Sequence, residues 1–208
     1  MSRIAIAVLA AGEGRRMGGD KQLALFNNEA LLLRAVRTAI ESEVGDLYVV
    51  LGYKFAELAE RLLLSFPSPD CLSIVQNGGW TEGIAASIRA AVAAVEEYDA
   101  VILTAVDQPF VDEMWLRYLK QQFIETKKEV VASYYGEPPS PGIPALFHRT
   151  KFASLALLQG DQGAKRVIAE SNSLLLPAGF AAYDVDTRSD LEQYQKIACT
   201  ASARTGSE

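Results

Sequence analysis

Histidine and cysteine are nearly missing from this chain. Its 208 residues include one histidine, His148, and two cysteines, Cys71 and Cys199. That excludes a metal site rich in imidazoles and a relay of several histidines. The two cysteines form no C-x-x-C pair and read as reduced packing residues of a cytoplasmic protein. Long apolar runs are absent too: none reaches the roughly 18 residues of a membrane span. Basic residues are in deficit, 20 Lys and Arg against 26 Asp and Glu, for a net charge of −6. A general nucleic-acid binder needs a basic face, so any positive site must be local. Arg3 followed by I-A-I-A-V-L-A-A-G has the outline of a signal peptide. Its apolar core is short and its leading segment holds one arginine, so it reads better as a first buried strand.

What is present is a strand–helix alternation, in a chain that is 50% hydrophobic. Ile4–Leu9, Leu47–Leu51, Val101–Val106 and Val130–Tyr134 read as strands, the first three apolar almost throughout, as strands covered on both faces are. Leu32, Ala35, Val36, Ala39 and Ile40 fall on one helical face, and Ile84, Ile88, Ala91, Val92 and Val95 repeat the pattern. Asp112 is placed to cap a further helix carrying Trp115, Leu116 and Leu119. The run Gly136–Pro144, with four prolines, reads as a surface crossing to a short strand Ala145–Phe147. Helical segments are expected at Lys151–Leu158, Gln162–Glu170 and Asp190–Ile197, with a strand through Tyr183–Asp186. The fold class that follows is α/β: a single domain over residues 1–198, with a doubly wound, mostly parallel sheet and a Rossmann-like nucleotide-binding N-terminal half. Residues 199–208 are expected to form a disordered tail.

The densest signal is L-A-A-G-E-G-R-R-M-G-G-D-K, Leu9–Lys21, directly after the first strand. A glycine-rich turn there lets backbone amides close on phosphate oxygens. A dinucleotide fingerprint G-x-G-x-x-G would need glycine at position 17, which is Met17, and an acidic residue after the second strand, where Gly52 and Tyr53 stand. A Walker A motif would need Lys-Ser/Thr after Gly19, where Asp20-Lys21-Gln22 stands. Both common phosphate loops fail on specific positions.

A third pattern fits. L-A-A-G-x-x-x-R-M-G-x-x-K resembles the signature of the MobA/MocA-like nucleotidyltransferases, and its L-A-A-G form resembles the cytidylyltransferase branch more than the guanylyltransferase branch. Asn77–Ser87 (N-G-G-W-T-E-G-I-A-A-S), Asp107-Gln108-Pro109, Gly142-Ile143-Pro144, Gly160–Ala164 (G-D-Q-G-A) and Asp184-Val185-Asp186-Thr187 with Asp190 are similar to further motifs of that family, in order along nearly the whole chain. Gly14 where a serine is common, Ile84-Ala85-Ala86 in place of a more polar stretch, and the proline-rich Glu137–Pro141 depart from it. They bear on the acceptor and on the base.

The resemblance implies a nucleotide-diphospho-sugar transferase-like fold and a Mg²⁺-dependent enzyme. An acceptor phosphate would attack the α-phosphorus of an NTP, CTP being favoured, and pyrophosphate would leave. The implied acceptor is molybdopterin, and the implied recipient of the product is a molybdoenzyme or its chaperone. Leu9, Ala10, Ala11, Gly12, Gly14, Arg16, Gly18 and Lys21 would hold the nucleotide with Asn77, Gly83 and Ser87. Gly142, Pro144, Asp161 and Gln162 would meet the acceptor. Arg16, Lys21 and Asp107 would serve catalysis, and Asp107 with Asp186 would bind the metal, Asp184 being the weaker choice. Asp186-Thr187 has a plainer reading as a helix cap, and Asn77 as a turn residue. GTP, a phosphorylated sugar or alcohol, and a non-catalytic delivery module are the alternatives. An NAD oxidoreductase is disfavoured by Met17.

Overall fold

The computed structural model describes residues 2–68 and 70–205. In chain order the elements are β1 (Ile4–Ala10), β2 (Leu25–Phe26), β3 (Glu29–Ala30), α1 (Leu31–Glu41), β4 (Asp46–Leu51), α2 (Phe55–Ser65), β5 (Ser73–Gln76) and α3 (Ile84–Ala94). They continue with β6 (Ala100–Ala105), α4 (Glu113–Thr126), β7 (Val130–Tyr135), β8 (Ser140–His148), α5 (Phe152–Ala156), α6 (Lys165–Ala169), β9 (Ser173–Pro177) and α7 (Arg188–Thr205). Seven strands form one sheet in the order β5-β4-β1-β6-β8-β7-β9, and β2 and β3 pair as a separate small ribbon. Only β8 runs against its neighbours; every other pairing in the sheet is parallel.

The central strand shows why the sequence folds this way. All seven residues of β1 are buried. Successive side chains of a strand point to opposite faces, so Ile4, Ile6, Val8 and Ala10 join one core with α1, α2 and α4. Ala5, Ala7 and Leu9 join a second core with α3, α5 and α6. The sheet is therefore covered on both sides, which is what apolar strands without polar alternation require. Asp112 caps α4 as expected, its carboxylate accepting the Trp115 N–H at 2.8 Å.

Several boundaries differ from the sequence reading. The proline-rich run is divided: Gly136–Pro139 form a turn, and Ser140–Pro144 belong to β8, which spans Ser140–His148. Only Ala145–His148 pair with β6, so Pro141 lies where the strand has β7 as its sole partner in the sheet, and Pro144 falls at the register shift between Gly142 and Ala145. Proline, lacking an N–H, is tolerated in such an edge position. Tyr183–Asp186 is not a strand; it crosses the strand ends and is tied down by the Val185 N–H donating to the Asp107 carbonyl at 2.8 Å. Helix α7 runs to Thr205, past the expected end at Ile197 and into the segment expected to be a tail, whose residues 206–208 lie outside the described ones. Both cysteines are free. Among the described residues no helix is long and apolar enough to cross a membrane.

Ile102 is fully buried on β6, at the centre of the sheet. Ile102→Ala is expected to lower unfolding free energy by about 2–5 kcal/mol, measured by urea titration; a loss below 1 kcal/mol, on the order of a surface substitution, would contradict this placement.

Candidate functional site

Parallel neighbours β1 and β6 end on the same side of the sheet, and chain segments leave both ends into one cleft. The Val106 N–H donates to the Leu9 carbonyl at 3.2 Å, extending their pairing to the rim. From β1 the loop Ala11–Ala24 turns over the strand ends. Gly14, Gly18 and Gly19 take positive φ of 66°, 85° and 93°, a region that L side chains rarely occupy. Gly12 differs: its φ is ordinary, and a Cβ there would meet nothing within 4 Å. Its bareness leaves the backbone open to the cleft. Met17 is buried under the loop as its apolar anchor.

Gln22 holds the loop from below. It is 2% exposed, and its amide Nε2 donates to the carbonyls of Ala10, at 3.0 Å, and Gly12. These bonds direct the two carbonyls inward, away from any anion in the cleft. The sequence reading missed Gln22, because a glutamine beside a lysine reads as surface.

Charged groups converge beneath the loop. The Lys21 ammonium lies 2.5 Å from Asp107 Oδ2 and 3.1 Å from Asp186 Oδ1, with its side chain only 12% exposed. Arg16 reaches Asp186 Oδ2 at 3.0 Å and is 70% exposed. Burial alone would lower the Lys21 pKa, but the Asp107 charge and hydrogen bond, reinforced by Asp186, outweigh it and hold the group above its ordinary value. Arg15 points to solvent, paired with Glu13. The cap question resolves locally: Thr187 Oγ1 accepts the Asp190 N–H, and the Asp190 carboxylate accepts the N–H groups of Asp186 and Thr187. The Asp186 side chain is thereby left to face the cleft.

The cleft has a volume of about 500 Å³. Leu9, Ala10, Ala11, Gly12, Gly14, Arg16 and Lys21 line it, as do Ser87, Asp107, Asp161 and Asp186. Trp80 stands on its wall, edge-on to Tyr53 at 5.6 Å. Ile84, expected on the buried stripe of α3, is 37% exposed and faces the cleft instead.

Other expected site residues stand behind this wall. Asn77 is buried; it donates to Ser87 Oγ at 3.2 Å and accepts the Gly79 N–H at 3.0 Å, a turn that orients Ser87. Gly18 sits on the far side of the loop, near Arg188. Gly142 and Pro144 belong to β8; the Pro144 carbonyl accepts Ser133 Oγ, and a Cβ on Gly142 would collide with the Tyr135 hydroxyl. Gln162 accepts the Gln159 N–H within its own turn.

Gly83 joins the start of α3 to the Gly160 turn. Its φ is 125°, and a Cβ would lie 2.5 Å from the Gly160 carbonyl oxygen. The Gly160 carbonyl accepts the Ala85 N–H, and its N–H donates to Glu82 Oε1. Glu82 is also paired with Arg89, which bonds the Leu158 carbonyl at 2.8 Å. The Arg89 bond and the Gly160 N–H hold the Glu82 carboxyl down at about 2.

Asp184 lies deeper. Burial, then the charge of Asp107, push its carboxyl up to about 6, against smaller lowering effects from Gln108 and Lys21. Its Oδ1 and the Oε1 of Gln108 are buried without a hydrogen-bond donor.

Comparison with known proteins places this geometry. The profile of the MobA-like NTP transferase domain matches residues 6–174. A probable molybdenum cofactor guanylyltransferase of Opitutus terrae is 31% identical over 168 residues, 81% of this chain and 79% of that one. Two more relatives match about half of each chain. Nicotine blue oxidoreductase of Paenarthrobacter nicotinovorans is 30% identical over 103 residues, 49% of this chain and 48% of its own. Molybdenum cofactor cytidylyltransferase of Escherichia coli is 29% identical over 109 residues, 52% and 54%. The structure of Rv0371c of Mycobacterium tuberculosis H37Rv, in complex with manganese, superposes with a TM-score of 0.72 at 26% identity, covering 94% of this chain and 99% of that one. The chain belongs to the MobA-like NTP transferase family and is a nucleotidyltransferase.

The raised Asp184 carboxyl sets a pH dependence. A carboxyl that binds its proton more tightly when folded costs stability as pH rises from about 4, its unfolded value, to about 6, and the loss persists above that. In the metal-free protein Asp184→Asn should be more stable than the parent by on the order of 1–3 kcal/mol at pH 7.5. The gain should fade as pH falls to about 4. Urea unfolding at the two pH values checks this, and an equal difference at both would remove Asp184 as the cause.

Proposed function

We propose that this member of the MobA-like NTP transferase family transfers a nucleoside monophosphate, CMP from CTP in the favoured case, to the phosphate of molybdopterin, releasing pyrophosphate. The observation that carries the reading is the Lys21–Asp107–Asp186 cluster under an open glycine loop. It sets cationic groups and oxygen donors suited to a metal directly against the cleft.

The donor set suits a hard divalent cation. Asp107 and Asp186 come from separate segments and meet at one ammonium, and both offer only oxygen. Mg²⁺ commonly takes one or two carboxylates and completes its shell with phosphate and water. That the related Rv0371c structure is a complex with manganese supports a divalent ion in this reading. Asp107 and Asp186 would hold it, and the bound ion would supply charge against the phosphate oxygens. The protein's own part is alignment and neutralisation. Amides of the Ala11–Gly14 segment cradle the phosphates, Arg16 and Lys21 neutralise them, and the acceptor phosphate approaches from the side of Asp161. No side chain is asked to form a covalent intermediate.

For the base, the L-A-A-G form of the loop supports CTP, and Ala11 lines the cleft at 2% exposure. The longer match to a guanylyltransferase makes GTP the competing donor. The partial match to an oxidoreductase brings no dinucleotide fingerprint with it, since Met17 fills the third glycine position and is buried.

Pyrophosphate release with Mg²⁺ and each of CTP, GTP, ATP and UTP, with and without molybdopterin, tests the reading. Acceptor-dependent release with CTP is expected. Release with GTP alone would keep the reaction and overturn the base assignment, and no release with any NTP would remove the reaction. Asp107→Ala should lower turnover by about 10²-fold or more with the fold intact by circular dichroism. A fully active variant would take Asp107 out of the mechanism.

A further inference from the structure

Among the described residues, Lys21 is the one cation paired with both Asp107 and Asp186. Its ammonium stands between Asp107 Oδ2 and Asp186 Oδ1, where a metal ion bridging those same two oxygens would stand. Two cations cannot share that gap. Charge works in the same direction: Lys21 and Arg16 offset the charges of Asp107 and Asp186, which weakens the attraction of that pair for a divalent ion.

The lysine is rooted on the phosphate loop itself. Its stem passes Gly14, where a Cβ would lie 3.4 Å from Lys21 Cδ and closer still to Cβ. Gly14 therefore leaves room for the stem on the loop side. A polyphosphate lying along the Gly12 backbone would offer the ammonium a second anionic partner within reach of the same root. No group of three or more His, Cys, Asp or Glu is gathered for a metal among the described residues. An ion on two carboxylates must then draw its other ligands from phosphate and water.

We propose that Lys21 is a displaceable counter-cation: it keeps a divalent ion off Asp107 and Asp186 until a polyphosphate draws the ammonium away. Metal and nucleotide then load as a coupled pair, and each raises the affinity of the other by the same factor. The inference rests on the reading of Asp107 and Asp186 as metal ligands, so the experiment separates the two.

Binding of Mn²⁺ without nucleotide is followed by the EPR signal of the free ion. The parent protein is compared with Lys21→Gln, Lys21→Met, Arg16→Gln and the double variant Lys21→Gln/Asp107→Asn, each shown to be folded by circular dichroism. Both Lys21 variants should bind Mn²⁺ at least about tenfold more tightly than the parent, because a competing charge in contact with the ligands has gone. Arg16→Gln removes an equal charge that is exposed and touches only Asp186, and its gain should stay below about threefold. The double variant should lose the gain. Equal tightening by Arg16→Gln would reduce the effect to general electrostatics and overturn the proposal. Nucleotide-free binding by the parent that is as tight as that of Lys21→Gln, and dependent on Asp107, would also overturn it while leaving the metal site standing. If no protein shows Asp107-dependent binding, even with tripolyphosphate added, the metal reading fails and takes the proposal with it.

Discussion

A half-buried ammonium must be paired, and much of this molecule is arranged around that requirement. Lys21 finds its partners 86 and 165 residues further along the chain. An unpaired charge at 12% exposure would be costly. Three separate segments therefore have to arrive together: the loop after β1, the end of β6, and the crossing before α7. The parallel pairing of β1 with β6 places the first two side by side. The third is drawn in by the Val185–Asp107 hydrogen bond, with Asp190 fixing the helix start just behind it.

How much of this could be read from the sequence depended on whether a residue's role is local. Strands β1, β4 and β6 are legible because burial on both faces leaves a continuous apolar run. The edge strands β5 and β9 are not, since they are half-exposed and each carries only a two- or three-residue apolar stretch, Ile74-Val75 and Leu174–Leu176. The second half of β8 was legible as the short strand Ala145–Phe147, but its first half was hidden by prolines whose permissibility depends on which of its residues have two neighbours. The stretch 183–186 looked like a strand because Tyr183 and Val185 alternate with aspartates; its extended form serves a crossing, not a ladder.

The same division runs through the site. Lys21, Asp107 and Asp186, which the structure brings together, could be singled out by their resemblance to family motifs, since by residue type alone Asp107 reads as a strand-end turn and Asp186 as a helix cap. Gln22 could not, since its value lies in two carbonyls brought together by the loop. Nor could the Glu82–Arg89 pair, which holds the Gly160 turn and depends on a segment some 70 to 80 residues away. Asn77 shows a further case: its motif was recognisable, but its side chain is spent on Ser87 and Gly79.

The join at Gly83 has a bearing on what the cleft can admit. One backbone hydrogen bond, the Gly160 N–H bond to the Glu82 carboxylate and a contact too close for any side chain fasten the Gly160–Asp161 turn to the start of α3. That side of the cleft consequently behaves as the fixed jaw of a calliper. Its position is set by main-chain atoms braced by the Glu82–Arg89 pair. Variation in the molecules that such a chain accepts must then come in part from what is mounted on that jaw, at positions such as Ile84 and Asp161.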